Sequence, residues 1–70
     1  MNVGNRVQIK NIYNKKEFKA LGYDIDDYIG QFGEIAALGS DHLYKYHVHL
    51  NNKELDELDW AARELILVSE

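Results

Sequence analysis

Apolar and polar residues alternate along two parts of the chain, and a period of two predicts β-strands with one buried face. The first part is residues 6–10, in which Val7 and Ile9 are the apolar positions. The second part is residues 44–50, in which Val48 stands between two histidines. Because side chains two apart on a strand share a face, each strand is expected to direct its apolar side chains into a core. The expected inner face of the second strand is Tyr44, Tyr46, Val48 and Leu50.

Two glycines three positions apart mark a bend between strands. Gly30 and Gly33 stand between apolar residues in the stretch of residues 29–35. Glycine adopts positive φ without a Cβ clash, and it lets another chain segment pack closely against a strand. We therefore expect a sharp bend here, followed by a strand over residues 33–38. A turn at residues 39–41 should then form a hairpin with the second alternating strand.

The long segment of residues 13–28 lacks the period of two. Asn14 followed three positions later by Glu17 is typical of a helix start, and Gly22 suits the end of a short helix. The acidic run of residues 24–27 is expected to be a solvated loop. It lacks the ladder of ligands that a calcium-binding EF-hand loop requires. A long excursion of this kind in a small domain is usually functional or mobile.

The last part of the chain combines ambiguous and clear patterns. Residues 53–59 are ambiguous, although two leucines in them have the spacing of a helical turn. Trp60 is expected to belong to a short strand and to be partly buried. Residues 61–65 suit a single helical turn, and residues 66–68 suit a final strand.

Composition narrows the class of protein. The length of 70 residues predicts a single domain over residues 1–70. The absence of cysteine excludes disulfides and thiolate zinc sites, and it favours a cytoplasmic location. Neither a secretory leader nor a membrane segment is expected, because no run approaches the roughly 20 apolar residues of a span. The net charge of −4 argues against general nucleic-acid binding, which depends on neutralising phosphates.

The order of these elements resembles the small SH3-like barrels. The resemblance lies in residues 5–9, 29–35 and 46–50, together with Trp60 and residues 64–68. The glycine pattern is similar to that of KOW-type domains in ribosomal and transcription-elongation proteins. The whole layout is more similar to electron-transport accessory barrels, such as a small peripheral subunit of photosystem I and the variable chain of ferredoxin–thioredoxin reductase.

This resemblance implies an all-β fold, a five-stranded SH3-like barrel with a long first loop and one or two short helical turns. It also implies that the first loop helps to form a binding face. Such barrels are mostly non-catalytic, so no catalytic residue is implied. The acidity of this chain departs from nucleic-acid-binding KOW domains, and its first loop diverges from the photosynthetic subunits. The specific function of neither family therefore transfers.

Aromatic side chains gather around the long segment and are the first candidate binding residues. Aromatic rings in a loop either cover the open end of a barrel or form a contact patch. The candidate partner-binding residues are Tyr13, Phe18, Tyr23, Tyr28 and Phe32. They favour a non-catalytic protein-interaction module. Such a module is expected to be a subunit or accessory protein of a larger complex, or a phage or mobile-element protein.

Two charged sets of residues support alternative functions. Positive charge is concentrated near the start of the chain, where it can contact the phosphates of a nucleic acid. The basic candidates are Arg6, Lys10, Lys15, Lys16 and Lys19. A dense acidic run can instead imitate nucleic acid and occupy the nucleic-acid site of a partner. The acidic candidates are Glu54, Asp56, Glu57 and Asp59.

Neither a metal centre, a cofactor nor an enzyme activity is expected. His47 and His49 project from one face of the predicted strand, but two imidazoles need a third ligand to bind zinc or copper. Asp41 and His42 are near in sequence but are separated from them by the hairpin turn. We therefore expect the two histidines to be solvent-facing. Serine occurs in no recognisable catalytic context, and a small barrel offers little pocket volume for catalysis.

Overall fold

The computed structural model describes residues 1–68, and most of its regular elements are strands. In chain order the elements are β1 (Arg6–Ile9), α1 (Lys15–Ala20), α2 (Ile25–Tyr28), β2 (Phe32–Leu38), β3 (Tyr46–Leu50), β4 (Asp59–Trp60), a 3₁₀ helix (Ala62–Glu64) and β5 (Leu65–Leu67). The predicted first strand, hairpin, single helical turn and final strand are therefore present, with bounds that differ by one or two residues.

The five described strands form one curled antiparallel sheet in the order β4-β3-β2-β1-β5. β1 pairs with both β2 and β5, and Arg6 stands opposite Glu34 of β2. β2 and β3 form the predicted hairpin, with an irregularity of register between Ile35 and Ala37. Such a bulge increases the local twist of a strand. The prediction of an all-β fold with five strands is confirmed.

The core lies on one face of this sheet, where the alternating residues of β1 and β3 meet. Val7, Ile9 and Val48 are fully buried, whereas His49 of β3 is exposed, as the period of two predicts. Each fully buried aliphatic side chain stabilises the fold by about 1.5–3 kcal/mol. Trp60 is 2% exposed, so it is fully buried rather than partly buried. Trp60 carries the largest apolar side chain of this small protein, and its burial therefore contributes to filling the core.

The two glycines of the bend have the roles predicted for them. Gly30 has a φ of +88°, and its N–H donates a hydrogen bond of 2.8 Å to the carbonyl oxygen of Ile9. Gly33 lies against β3. A Cβ at Gly33 would come within 2.5 Å of the carbonyl oxygen of His49 and 2.8 Å of Cγ1 of Val48. A side chain at this position would therefore force β2 and β3 apart.

The long segment between β1 and β2 holds two short helices. Asn14 caps α1 as predicted, because its side chain accepts the N–H of Glu17 at 3.1 Å. Gly22, with a φ of +93°, follows the end of α1. The prediction of a loop in the acidic run was wrong, since Asp24 caps α2 by accepting the N–H of Asp26 at 3.0 Å. Carboxylates at the cap and in the first turn stabilise the start of a helix, even a short one.

The ambiguous residues 53–58 contain no helix. Leu55 and Leu58, whose spacing suits a helical turn, instead pack from irregular chain against the core. This irregular segment leads into β4, which pairs with β3 and places His47 opposite Asp59. The acidic residues before β4 therefore run alongside β3.

Candidate functional site

A cavity of about 270 Å³ opens between α1 and β4, and it is called the pocket below. Its walls are mostly apolar, and they bring together the long segment, the chain before β3, and β4. The lining residues are Ile12, Asn14, Glu17, Phe18, Leu21, Tyr23, Tyr44, Leu58, Asp59, Trp60 and Glu64. The pocket is thus built from parts of the chain that are far apart in sequence.

Aromatic rings hold the long segment against the sheet beside the pocket. The ring of Phe18 lies 6.0 Å from that of Trp60 and 5.2 Å from that of Tyr28. Tyr28 itself lies 6.0 Å from Trp60, measured between ring centroids. Such aromatic pairs contribute about 0.5–1.5 kcal/mol each beyond the burial of their area. Phe18 and Trp60 therefore fix the position of α1 relative to β4.

The buried indole of Trp60 has a polar group whose hydrogen bond is not made within the protein. Among residues 1–68, no side chain or backbone group accepts a hydrogen bond from its Nε1. A buried donor without an acceptor destabilises a protein by about 1–3 kcal/mol.

Glu64 is a buried acid that links the start of the long segment to the start of the 3₁₀ helix. It is 2% exposed, and its two carboxylate oxygens accept hydrogen bonds from two different backbone N–H groups. Oε2 accepts from Tyr13 at 2.7 Å, and Oε1 accepts from Ala61 at 2.8 Å. These bonds make Glu64 a structural residue of the pocket wall. Sequence reasoning missed this role, although an acid three residues after Ala61 is the spacing at which a side chain reaches back to a helix start.

The five predicted aromatic residues do not form one exposed patch. Phe18 and Tyr23 line the pocket, but Tyr28 is 3% exposed and belongs to the core. Tyr13 is exposed and lies under the guanidinium of Arg63, 4.5 Å from its ring centre. Phe32 is exposed on β2, opposite Gln8 of β1. The structure therefore brings only part of the predicted set to the pocket.

The acidic candidates face three different sets of neighbours. Asp56 contacts the aromatic cluster: its N–H donates to the hydroxyl oxygen of Tyr28 at 3.2 Å. A hydrogen bond between the side chains of Asp56 and Tyr23 raises the pKa of Tyr23. Glu54 begins an irregular turn, in which its N–H donates to the side chain of Asn52. Glu57 and Asp59 face histidines.

The basic candidates lie on two separate elements. Lys15, Lys16 and Lys19 are exposed on α1. Arg6 is the first residue of β1, and Lys10 directly follows that strand. All five side chains are exposed, which suits either a solvated surface or contact with phosphates.

Two histidines of β3 meet two acids of the neighbouring segment, and these four residues are called the histidine cluster below. Nδ1 of His47 lies 2.8 Å from Oδ1 of Asp59, and its Nε2 lies 3.6 Å from Oε1 of Glu57. Nε2 of His49 lies 3.2 Å from the other oxygen of Glu57. One ligand atom from each of His47, His49 and Glu57 lies within 4.8 Å of the others. This is an arrangement that can hold a metal ion.

The residue that the structure brings to the two histidines as a possible third ligand is Glu57, and not a residue of the turn before β3. Asp41 is occupied in that turn, where it accepts the N–H groups of Leu43 and Tyr44 at 2.8 and 2.9 Å. A pattern in the sequence already indicated that Glu57 lies near the two histidines. Histidines at 47 and 49 have the same period of two as acids at 57 and 59, and antiparallel pairing places such residues opposite each other.

The carboxylates of the cluster also change the acidity of a histidine. The hydrogen bond that the Asp59 carboxylate accepts from the ring raises the pKa of His47, and partial burial of the ring opposes this rise. Glu57 acts in the same direction as Asp59. The cluster therefore favours the protonated form of His47 relative to a free imidazole.

Within residues 1–68, no helix has both the length and the apolar character needed to cross a membrane.

No family model, curated protein or solved structure matches the chain. The resemblance to SH3-like barrels therefore stays a prediction, and the site must be interpreted from its own chemistry.

Proposed function

We propose that the protein is a non-catalytic interaction module, which binds a short segment of a partner protein in the pocket. The observation that carries this proposal is the joining of Phe18 and Tyr23 of the long segment with the buried Trp60 of β4 in one apolar cavity. Contact sites on proteins are typically built around aromatic anchors. The proposal also agrees with the resemblance to SH3-like barrels, which implies that the long first loop helps to form a binding face.

The size and lining of the pocket favour a peptide side chain over a substrate. Its volume of about 270 Å³ is at the small end of the range of about 300–1,000 Å³ that is usual for small-molecule sites. Its described lining residues include no serine, cysteine, lysine or histidine, so any base would have to be a carboxylate, and that of Glu64 already accepts two backbone N–H groups. A cavity of this kind can receive one large apolar side chain from an extended segment.

The polar groups of the pocket indicate what should flank that side chain. Glu17 and Asp59 are exposed acids that line it, and three further acids precede β4, namely Glu54, Asp56 and Glu57. Opposite charge on a partner would increase the rate of association and favour one orientation. The occupant is therefore an apolar residue beside a lysine or arginine. The cysteine-free composition suits a cytoplasmic complex.

A screen of a random peptide library against the purified protein tests the proposal. Selected peptides should combine an aromatic or large aliphatic residue with an adjacent basic one, and their binding should shift the indole N–H resonance of Trp60. Leu21→Gln should weaken binding, because Leu21 is 67% exposed and lines the pocket. The matched control is Leu67→Gln, which alters another exposed leucine, on β5, that does not line the pocket.

Two results would count against a peptide site in the pocket. One is a screen that selects no peptide, and the other is equal weakening by Leu21→Gln and Leu67→Gln. Binding of RNA or DNA that is lost on replacing Lys15, Lys16 and Lys19 would instead support the nucleic-acid alternative. Partner binding that nucleic acid competes with, and that is lost on neutralising Glu54, Asp56, Glu57 and Asp59, would support nucleic-acid mimicry.

A further inference from the structure

The histidine cluster has the composition of a transition-metal site, and it lies outside the pocket except for Asp59, which belongs to both. Two imidazoles and a carboxylate are the protein ligands of many zinc centres that keep further positions open for water. Imidazole nitrogens also select such ions over Mg²⁺ and Ca²⁺, which prefer oxygen ligands. The residue types therefore indicate a borderline-soft divalent ion.

The distances in the cluster agree with those that a metal ion requires. With bonds of about 2.0–2.1 Å, two ligands of a tetrahedral zinc ion lie roughly 3.3–3.4 Å apart. The separation between Nε2 of His49 and Oε2 of Glu57 is 3.2 Å, and that between Nε2 of His47 and Oε1 of Glu57 is 3.6 Å. These two separations involve different oxygens of Glu57. One ligand atom of each of the three residues lies within 4.8 Å of the others, so a bound ion would draw these atoms closer together.

Asp59 orients one of the ligands. Its carboxylate lies 2.8 Å from Nδ1 of His47, so the Nδ1–H donates to it, and Nε2 on the opposite side of the ring faces Glu57. A carboxylate on the non-coordinating nitrogen is the usual partner of a metal-binding histidine, since it fixes the tautomer and the ring direction. Asp59 is thus a positioning residue rather than a ligand.

The backbone holds the ligands in place. His47 and His49 are two apart on β3 and share one face, while His47 pairs with Asp59 of β4 in register. The N–H of Val48 also donates to the carbonyl oxygen of Leu58 at 3.4 Å, which keeps the residue before β4 beside the strand. The side chains of His49 and Glu57 are 51% and 46% exposed, so an ion can enter from solvent.

We propose that His47, His49 and Glu57 bind one Zn²⁺ ion, with Asp59 orienting His47 and water completing the coordination. The ion would tie β3 to the irregular segment before β4. Because that segment also carries Leu58 of the pocket, binding of the ion would stabilise one wall of the pocket. The metal site itself does not depend on the proposed peptide-binding function.

Calorimetric titration of the metal-stripped protein with Zn²⁺ alone tests the proposal. We expect one ion per chain and no comparable binding of Mg²⁺. In NMR spectra of the histidine rings, the Nε2 resonances of His47 and His49 should shift, whereas those of His42 should not. Co²⁺ in place of Zn²⁺ should produce the visible absorption of a site with nitrogen and oxygen ligands.

Variants locate the ion and provide a matched control. His49→Gln and Glu57→Gln each remove a ligand from a largely exposed position, so the fold should be retained. Asp59→Asn should weaken binding by about 10–100-fold, the effect expected for a lost orienting carboxylate. His42→Gln and Glu54→Gln change the same residue types at exposed positions outside the cluster and should leave the affinity unchanged.

Three results would overturn the proposal. They are the absence of saturable Zn²⁺ binding, equal effects of His42→Gln and His49→Gln, and equal shifts of all three histidine rings on titration. Any of these would leave the cluster as a hydrogen-bonded network between strands. Circular dichroism of each variant distinguishes loss of a ligand from loss of the fold, and peptide binding measured without metal separates this site from the pocket.

Discussion

Oε2 of Glu64 accepts a hydrogen bond from the backbone N–H of Tyr13 at 2.7 Å, although the two residues are 51 positions apart. The other oxygen of the same carboxylate accepts the N–H of Ala61. Glu64 therefore connects the start of the long segment to the 3₁₀ helix after β4. Through this connection it holds one side of the pocket in place.

Replacing Glu64 by alanine should destabilise the protein strongly. The change leaves the buried N–H of Ala61 and the partly buried N–H of Tyr13 without their acceptors, at about 1–3 kcal/mol for each. We expect a loss of about 2–5 kcal/mol in the free energy of unfolding, measured by urea denaturation. Glu54→Ala, at an exposed acid, is the control and should change stability by less than about 0.5 kcal/mol. Equal losses for the two variants would contradict the structural role of Glu64.

Replacing Gly33 by alanine should separate β2 from β3. The added Cβ would approach the carbonyl oxygen of His49 to 2.5 Å, and backbone cannot yield as a flexible side chain can. We expect destabilisation of about 1–3 kcal/mol, the usual effect of overpacking, in thermal or urea unfolding. Gly39→Ala is the matched control, because the nearest atom to its added Cβ is 3.6 Å away and its φ is not positive. That variant should be neutral or slightly stabilising.

Removing the cap of α1 should weaken both the helix and the proposed peptide binding. Asn14 accepts the N–H of Glu17 and donates from Nδ2 to the Glu17 carboxylate at 3.1 Å. Asn14→Ala should reduce stability by about 0.5–2 kcal/mol. It should also increase hydrogen exchange along α1, which positions Phe18 for the pocket. Asn51→Ala is the control, because it leaves the hydrogen bond from the backbone N–H of Asn51 to the carbonyl oxygen of Phe32 in place. It should not change exchange in α1. Unchanged exchange in α1 would argue against the cap.

The turn before β3 should lose stability in acid. Hydrogen bonds from the N–H groups of Tyr44 and Leu43 lower the pKa of Asp41 below its ordinary value of 3.8. A carboxyl group with a lowered pKa in the folded state contributes stability above the unfolded pKa. It loses that contribution as the pH falls through the folded value. The stability difference between the parent protein and Asp41→Ala should therefore be full at neutral pH and should shrink below pH 3.8.

NMR titration of the Asp41 carboxyl carbon provides the direct measurement. Its midpoint should lie below that of a model aspartate, and the amide signals of Leu43 and Tyr44 should titrate with it. A midpoint at or above the ordinary value would contradict the observed hydrogen bonds. Asp26→Ala is the control, since Asp26 is an exposed acid outside this turn. It should leave the midpoint of Asp41 unchanged.

Features that depend on neighbouring residues could be predicted from the sequence. Asn14 with Glu17 specifies a helix start because cap and partner are one turn apart. Gly30 specifies a bend because only local backbone geometry is involved. The alternation of Val7 with Ile9 determines which face of β1 is buried, since the strand period of two is independent of the rest of the chain.

Features that depend on distant residues were decided by the tertiary structure. Tyr28 is buried because it packs against Phe18 and Trp60. The sequence predicted it as a contact residue, and its position in the core could not be seen from the sequence. The same holds for Glu57. Its spacing from Asp59 matches the spacing of the two histidines, but only the pairing of His47 with Asp59 in the folded sheet shows that the two sets lie side by side.

The sequence by itself thus determined an all-β fold, its main turns and the regions rich in aromatic and charged residues. The folded structure decided which of these side chains meet. Turns and strand periods arise from interactions within a few residues, whereas the pocket and the histidine cluster arise from pairing across the sheet. Glu64 illustrates the difference, because its two hydrogen-bond donors become neighbours only after β1, the 3₁₀ helix and β5 have packed together.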